Sequence, residues 1–339
     1  MRAVRILMRA GIFFLLSAIL GISVIHARTT LEVGYIPIIP MSQLFVMEGE
    51  GWVEDADIEL KKTRFQSGPA IVQALASGNL DVAYMGIAPA MAARARGIDI
   101  RVVASNVIEQ VALIARSDLA DYIARAATPK EALAKFTADK GRKPKIATLP
   151  KGSVPDTVLR HWLIKVAGLS ESDIDIVGMG ATRVQQALLA GSIDGASILE
   201  PIISIVQQRD PAIKVVVYGS GMFENTPGAV LVVRGELVRK TPAIVQQLVA
   251  MHKKATDLII AKPAVAAKHV HKVIGRGLIS VEIVEKSVKS PYIKFASNPV
   301  DIIKATKQMH DFQAEIGTLR KPVPLEQLFD TSFYTAIKD

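Results

Sequence analysis

Two charged side chains stand where they could do chemistry. Arg183 follows Thr182 at the start of a helical stretch, and a guanidinium there could grip an anion through two parallel hydrogen bonds; a surface ion pair is its plainer use. Glu200 precedes Pro201 at another helix entrance, where a carboxylate is favourable in any case. Facing a cavity, it could hold an amine or a ligand hydroxyl. Asn106 ends a strand, and suits either a turn or a polar contact. His269 and His271 are two apart on a helical stretch and face different ways, which argues against a metal site. No Gly-x-Ser-x-Gly, His-Glu-x-x-His, P-loop or Gly-x-Gly-x-x-Gly occurs in the sequence. The chain has no cysteine, which excludes disulfides, thiol catalysis and iron–sulfur clusters.

What remains is a set of loops that start helices. The stretch from Gln66 to Ala90 reads as loop, helix, strand, loop. Ser67-Gly68-Pro69 is a helix start, with a capping hydroxyl and a proline in the first turn. Ile71, Val72 and Leu75 form an apolar stripe. Gly78-Asn79 ends the helix, and Leu80–Met85 has the length and apolarity of a short strand that Gly86 breaks. The unit returns 113 residues later: Gln73, Ala74, Leu75, Gly78, Asp81 and Ala83 align without a gap on Gln186, Ala187, Leu188, Gly191, Asp194 and Ala196. That spacing is too long for a solenoid, whose periods run roughly 20–50 residues. Two similar α/β lobes account for it, with Asp81 and Asp194 stabilising equivalent helix–strand turns.

Half of the 339 residues are hydrophobic and 22% are charged, so a packed chain of two domains is expected. Aromatics are 5%, and no basic run carries interleaved aromatics, which argues against nucleic acid as a partner. Arg2, Arg5 and Arg9 precede the apolar run Gly11–Ile25 and then Ala27. This is the pattern of a secretory signal peptide over residues 1–27, with cleavage after Ala27 favoured over a retained anchor. Cleavage would lower the net charge of +9 by three.

Strand patterns at 31–36, 58–63, 80–85, 100–104, 111–115, 145–148, 174–177, 195–199, 214–218 and 229–233 alternate with helical patterns, and the chain turns helical from Thr241 onward. This predicts an α/β fold of mostly parallel sheets flanked by helices. In such sheets ligands bind beyond the carboxyl ends of the strands. The loops there start helices repeatedly, and helix N-termini offer unpaired N–H groups and partial positive charge to an anion.

Val33-Gly-Tyr-Ile-Pro37, Phe65-Gln-Ser-Gly-Pro69, Ala74-Leu-Ala-Ser-Gly-Asn-Leu-Asp81, Tyr84-Met-Gly-Ile-Ala-Pro89, Lys151-Gly-Ser153, Ser192-Ile-Asp194 and Glu200-Pro201 stand in one order. In that order the chain resembles the nitrate/sulfonate/taurine family of ABC-transporter substrate-binding proteins. The resemblance implies a two-lobe periplasmic-binding-protein type II fold, with lobe one at 28–115 and 225–339, lobe two at 116–224, and a helical C-terminal tail on lobe one. It implies a periplasmic monomer without cofactor or enzymatic activity, which closes on a small anionic solute and meets a membrane permease. Carried over by position, the ligand loops include Ser42, Gln43, Ser67, Gly68, Gly86, Ile87, Gly152, Ser153 and Glu200. Leu199 departs from relatives that carry Trp before the Glu-Pro pair, so an aromatic wall is missing and a taurine- or alkanesulfonate-like ligand is in doubt. A pyrimidine-precursor enzyme of thiamine synthesis and a sensory module remain as alternatives, the first weakened by the lack of cysteine.

Overall fold

The computed structural model describes residues 28–275 and 279–337. The expected signal peptide over 1–27 lies outside them. Twelve strands are present among the described residues. The first sheet takes β1 (Thr29–Tyr35), β2 (Ile58–Arg64), β3 (Val82–Gly86), β4 (Ile100–Ser105) and β11 (Ala229–Arg234), in the order β2-β1-β3-β11-β4. The second takes β6 (Val111–Ala115), β7 (Lys145–Thr148), β8 (Asp175–Gly178), β9 (Gly195–Leu199) and β10 (Lys214–Tyr218), in the order β10-β6-β9-β7-β8. A two-stranded piece, β5 (Val107–Ile108) against β12 (Lys294–Phe295), lies at the crossing between them.

The two sheets share one topology. β1 pairs in parallel with β2 and β3, as β7 does with β8 and β9. In each sheet one strand runs the other way: β11 between β3 and β4, and β6 between β9 and β10. Each reversed strand is the one by which the chain enters that lobe. The sequence expectation placed Val111–Ala115 in lobe one; its hydrogen bonds put it in the second sheet, opposite Gly195–Leu199. All five of its residues are buried, as a strand covered on both faces requires.

The repeat is reproduced residue for residue. The helix Gly68–Ala76 and strand β3 correspond to the helix Ala181–Leu189 and strand β9 at the same offset of 113. Ile71, Val72 and Leu75 bury one face of the first helix, Val184 and Leu188 one face of the second. Both helices stop before a left-handed glycine, Gly78 at φ 83° and Gly191 at φ 70°. Asp81 and Asp194 make the same turn. The Glu32 N–H donates to Asp81 Oδ2 at 2.9 Å, and the Lys145 N–H to Asp194 Oδ2 at 2.7 Å. The pairing extends to two arginines at the ends of the reversed strands, Arg234 as the last residue of β11 and Arg116 just after β6. Arg234 donates to the carbonyls of Leu80 and Leu75, and Arg116 donates to that of Leu188, the repeat partner of Leu75, at 2.7 Å. Each guanidinium thus caps the C-terminal carbonyls of the repeat helix, which point negative charge at it.

The tail does more than pack on lobe one. The Pro242–Ala261 helix lies on Ser42–Gly49 and β4, as expected. The Val281–Val288 helix also touches Ile202–Arg209 in lobe two, and Val300–Glu315 touches Val154–His161. Gln313 Nε2 donates to Thr157 Oγ1 at 3.0 Å, and Lys165 pairs with Glu315 at 2.6 Å. No helix among the described residues is long and apolar enough to cross a membrane.

Candidate functional site

Apart from the reversed β6 and β11, the strands of each sheet run one way, and their carboxyl ends lead into the loops that start the helices. The two repeat helices begin beside each other there: a Cβ placed on Gly180 would lie 3.7 Å from Gln66 Cβ. Both N-caps, Ser67 and Gly180, have extended backbone; the Ser67 side chain makes no capping bond, and Gly180 has none to offer. The Ser67 hydroxyl, expected as a cap, is therefore not used as one. Neither first turn carries an acidic residue. The Ile87–Ala95 helix likewise starts without a side-chain cap, after extended Gly86. Capping is present elsewhere: Thr128 accepts from the Glu131 N–H and Ser280 from the Ile283 N–H. Uncapped first-turn N–H groups thus gather where the lobes meet.

The start of the Ala181–Leu189 helix opens onto a cavity of about 300 Å³ that Gln66 also lines. Lobe one contributes Ile36, Pro37, Ile38, Arg64 and Gln66; lobe two contributes Ala181, Thr182, Gln185, Pro201, Ile202 and Arg209. Its walls are largely apolar, its amides and hydroxyl are neutral, and its charged groups are cations. Arg64 and Arg209 make no ion pair among the described residues.

The expected site residues separate into groups. Gly86, and Ser153 next to Val154, border the interlobe contact, while Ser67 and Gly68 stand at a helix start within lobe one. Gly68 packs on Pro89, where an added Cβ would come within 2.4 Å, and Gly86 faces Val154 across the gap. Gly152, at φ 84°, opens instead onto a second groove, and its N–H donates to Asp156 Oδ2 at 2.9 Å. Ser153 caps its helix by accepting from the Asp156 N–H, and Arg160 Nε donates to Asp156 Oδ1 at 2.9 Å. Burial pushes the Asp156 carboxyl up, against the pull of Arg160 and the Gly152 N–H.

Ser42, Gln43, Ile87 and Asn106 are buried in bonds within lobe one and its tail. The Ser42 hydroxyl donates to the Ile39 carbonyl at 2.6 Å, and the Ile87 N–H to that of Gly228 at 2.9 Å. Gln43 Nε2 donates to the Asn106 carbonyl at 2.8 Å, while Asn106 Nδ2 donates to that of Pro40 at 3.0 Å. The side-chain oxygens of both amides are buried without a partner.

Glu200 is 2% exposed. It accepts from the Ser204 N–H at 3.0 Å and the Ser204 hydroxyl at 2.9 Å. Burial raises its carboxyl pKa, opposed by hydrogen bonds from Ser204, Ser290 and Ser287. Its carbonyl accepts from the Ile39 N–H of lobe one at 3.3 Å, so it ties the lobes. Arg183 is exposed on the outer part of its helix and does not line the cavity. Arg64, Gln66 and Arg209 line it but were not singled out in the sequence. The signal for the first two was their place just before the chosen loop: Arg64 ends β2 and Gln66 directly precedes Ser67.

His269 Nε2 lies 2.6 Å from Glu50 Oε1, and His271 Nε2 lies 2.8 Å from the Ile279 carbonyl. Among the described residues no group of three His, Asp or Glu side chains could hold a metal.

Two mixed-sheet lobes of one topology, joined by paired crossings and closing on a shared gap, define the periplasmic-binding-protein type II class. Similar solved structures have the same fold. The alkanesulfonate-binding protein SsuA of Xanthomonas axonopodis pv. citri, bound to MOPS, superposes with a TM-score of 0.72 at 22% identity, over 90% of this chain and 99% of that one. The nitrate-binding protein NrtA of Synechocystis PCC 6803 gives 0.74 at 12% identity, over 91% and 87%. Residues 26–275 match the NMT1-like family, and the chain belongs to it. A Bacillus subtilis protein named for binding aliphatic sulfonates is 28% identical over 297 residues, 86% of this chain and 84% of that protein.

Proposed function

We propose that the protein is the solute receptor of an ABC importer, secreted across the membrane as a monomer, which captures a small organic anion between its lobes and delivers it to a permease. The observation that supports this reading is the cavity lined by Gln66 and by the uncapped start of the Ala181–Leu189 helix, where the charged lining groups among the described residues are Arg64 and Arg209. N–H dipoles and guanidinium groups favour an anion, and the isoleucine and proline walls favour an apolar body behind it. Relatives and structural neighbours are named for binding aliphatic sulfonates, taurine and nitrate, each of which carries a negatively charged group of oxygens. The protein would bind and release its guest unchanged, with closure burying it.

The test is a thermal-shift screen of alkane- and arylsulfonates, nitrate and carboxylates, followed by titration calorimetry of the best binder. The expected result is a rise of several degrees for an organic anion, and at least a tenfold affinity loss in Arg64→Gln/Arg209→Gln. A panel without any shift, or a double variant that binds like the parent, would refute the reading.

A further inference from the structure

A second groove, of about 660 Å³, lies on the other flank of the interlobe contact. Three segments far apart in the chain build it. The C-terminal end of the Ile87–Ala95 helix brings Arg96 from lobe one, and the turn before Val154–His161 brings Lys151 from lobe two. The segment after Val300–Glu315 brings Arg320 and Lys321. No carboxylate of the described residues lines it. All four cations are exposed, and none has an ion-pair partner among the described residues.

Glu326, after Lys321 in the chain, is exposed and does not line the groove, and the other acids near the four cations along the chain are engaged elsewhere. Asp99 takes Arg94, Arg101 and Arg239. Asp156 takes Arg160 and the Gly152 N–H. Glu315 takes Lys165, and Asp311 takes Lys307. Lys151 also acts through space on Asp156 without pairing with it, and four charges of one sign in one concavity make a focused positive potential.

We propose that this groove docks an acidic polypeptide segment that projects from a protein partner and touches both lobes at once. Charge complementarity identifies the occupant, and shape narrows it. A flat bilayer surface cannot follow the concavity. A small free anion would be left holding solvated side chains that are each worth little singly. A chain with several carboxylates engages all four together and gains from each. The inference does not depend on the identity of the cleft ligand.

The experiment measures fluorescence anisotropy of a labelled octa-glutamate peptide against the full-length protein in low salt. It compares wild type with Arg96→Gln/Lys151→Gln/Arg320→Gln/Lys321→Gln. A control of equal charge change is Lys130→Gln/Lys143→Gln/Lys214→Gln/Lys268→Gln, at exposed positions away from the groove. The single variants Lys151→Gln and Arg320→Gln cover a fold defect, and unchanged melting temperatures verify the fold. The expected result is salt-sensitive binding, weakened about tenfold or more in the groove variant and by less than about twofold in the control. Absence of wild-type binding, or equal weakening in both variants, overturns the proposal. So does groove-dependent binding of tripolyphosphate or phosphatidylglycerol vesicles without groove-dependent binding of the peptide.

Discussion

Gly86 and Val154 face each other across the interlobe contact, and a single methyl tests whether the lobes function pressed together there. A Cβ on Gly86 would sit 2.9 Å from Val154 Cγ2, whereas ordinary contacts begin at 3.4 Å. The backbone of Gly86, at φ −69° and ψ 149°, accepts alanine without strain, so the effect comes from the approach alone. Closing on that methyl forces a shift of about half an ångström, and overpacking of this size costs about 1–2 kcal/mol. If closure carries binding, Gly86→Ala weakens the ligand found in the screen by roughly 5- to 30-fold in calorimetry. Val154→Ala removes the opposing methyl and leaves room for the new one. The double variant should therefore bind more tightly than the two single effects predict when added, with a coupling of about 1 kcal/mol. Additive effects, or a Gly86→Ala protein that binds like wild type, would refute the claim that this contact forms in the ligand-bound state.

Three further outcomes are expected. Asp194→Ala should cost about 2 kcal/mol, because it breaks a bidentate pair with Arg142 and the Lys145 N–H bond, while its repeat twin Asp81→Ala, with one backbone donor, costs about half that. Burial pushes the Asp194 carboxyl up, but Arg142 and Lys145 outweigh it and the net is downward. Its stabilisation is thus present above the unfolded carboxyl range and lost as pH falls through the folded value; an Asp81 variant less stable than the Asp194 variant at neutral pH refutes this. Burial lowers the His252 pKa to about 4, against the Ser105 carbonyl that its Nε2–H contacts. The unfolded chain then binds the extra proton first, so stability falls from pH 6.5 toward 4 by about 3 kcal/mol, and His252→Gln should flatten that slope in denaturant titrations. An unchanged slope counts against it. For Glu200 the sign is opposite: its raised pKa means that wild type loses stability relative to Glu200→Gln as pH climbs through the carboxylate range, and a melting-temperature difference constant from pH 4 to 7 refutes the assignment.

The repeat was the most legible part of the fold, because helix, glycine and strand each leave a local mark at a fixed spacing. The reversed strands were not legible as such. Val111–Ala115 has the apolar run of any buried strand, and nothing local says which sheet it enters. The arginine pair was hidden for the same reason, since Arg116 and Arg234 stand at the ends of strands that cross between lobes and do not keep the repeat's offset. β5 and β12 have two residues each, too few for a period to show. Within the site, Ser67 and Gly86 were readable as helix starts, because capping and chain reversal are local chemistry. Whether a hydroxyl caps or a polar side chain turns inward is decided by tertiary packing. Gln43 and Asn106 looked like cleft residues and are instead bonded into the body of lobe one.

The place of β11 constrains the order in which the chain can be finished during synthesis. The second lobe's last strand ends at Tyr218, but the first sheet has a vacancy between β3 and β4 until Arg234 has emerged. A nascent chain arrested between those points would carry one completed half and, in the other, two bare backbone edges side by side. The half begun first is thus completed last, and truncation just past Tyr218 would leave those edges open to pairing with a neighbouring chain.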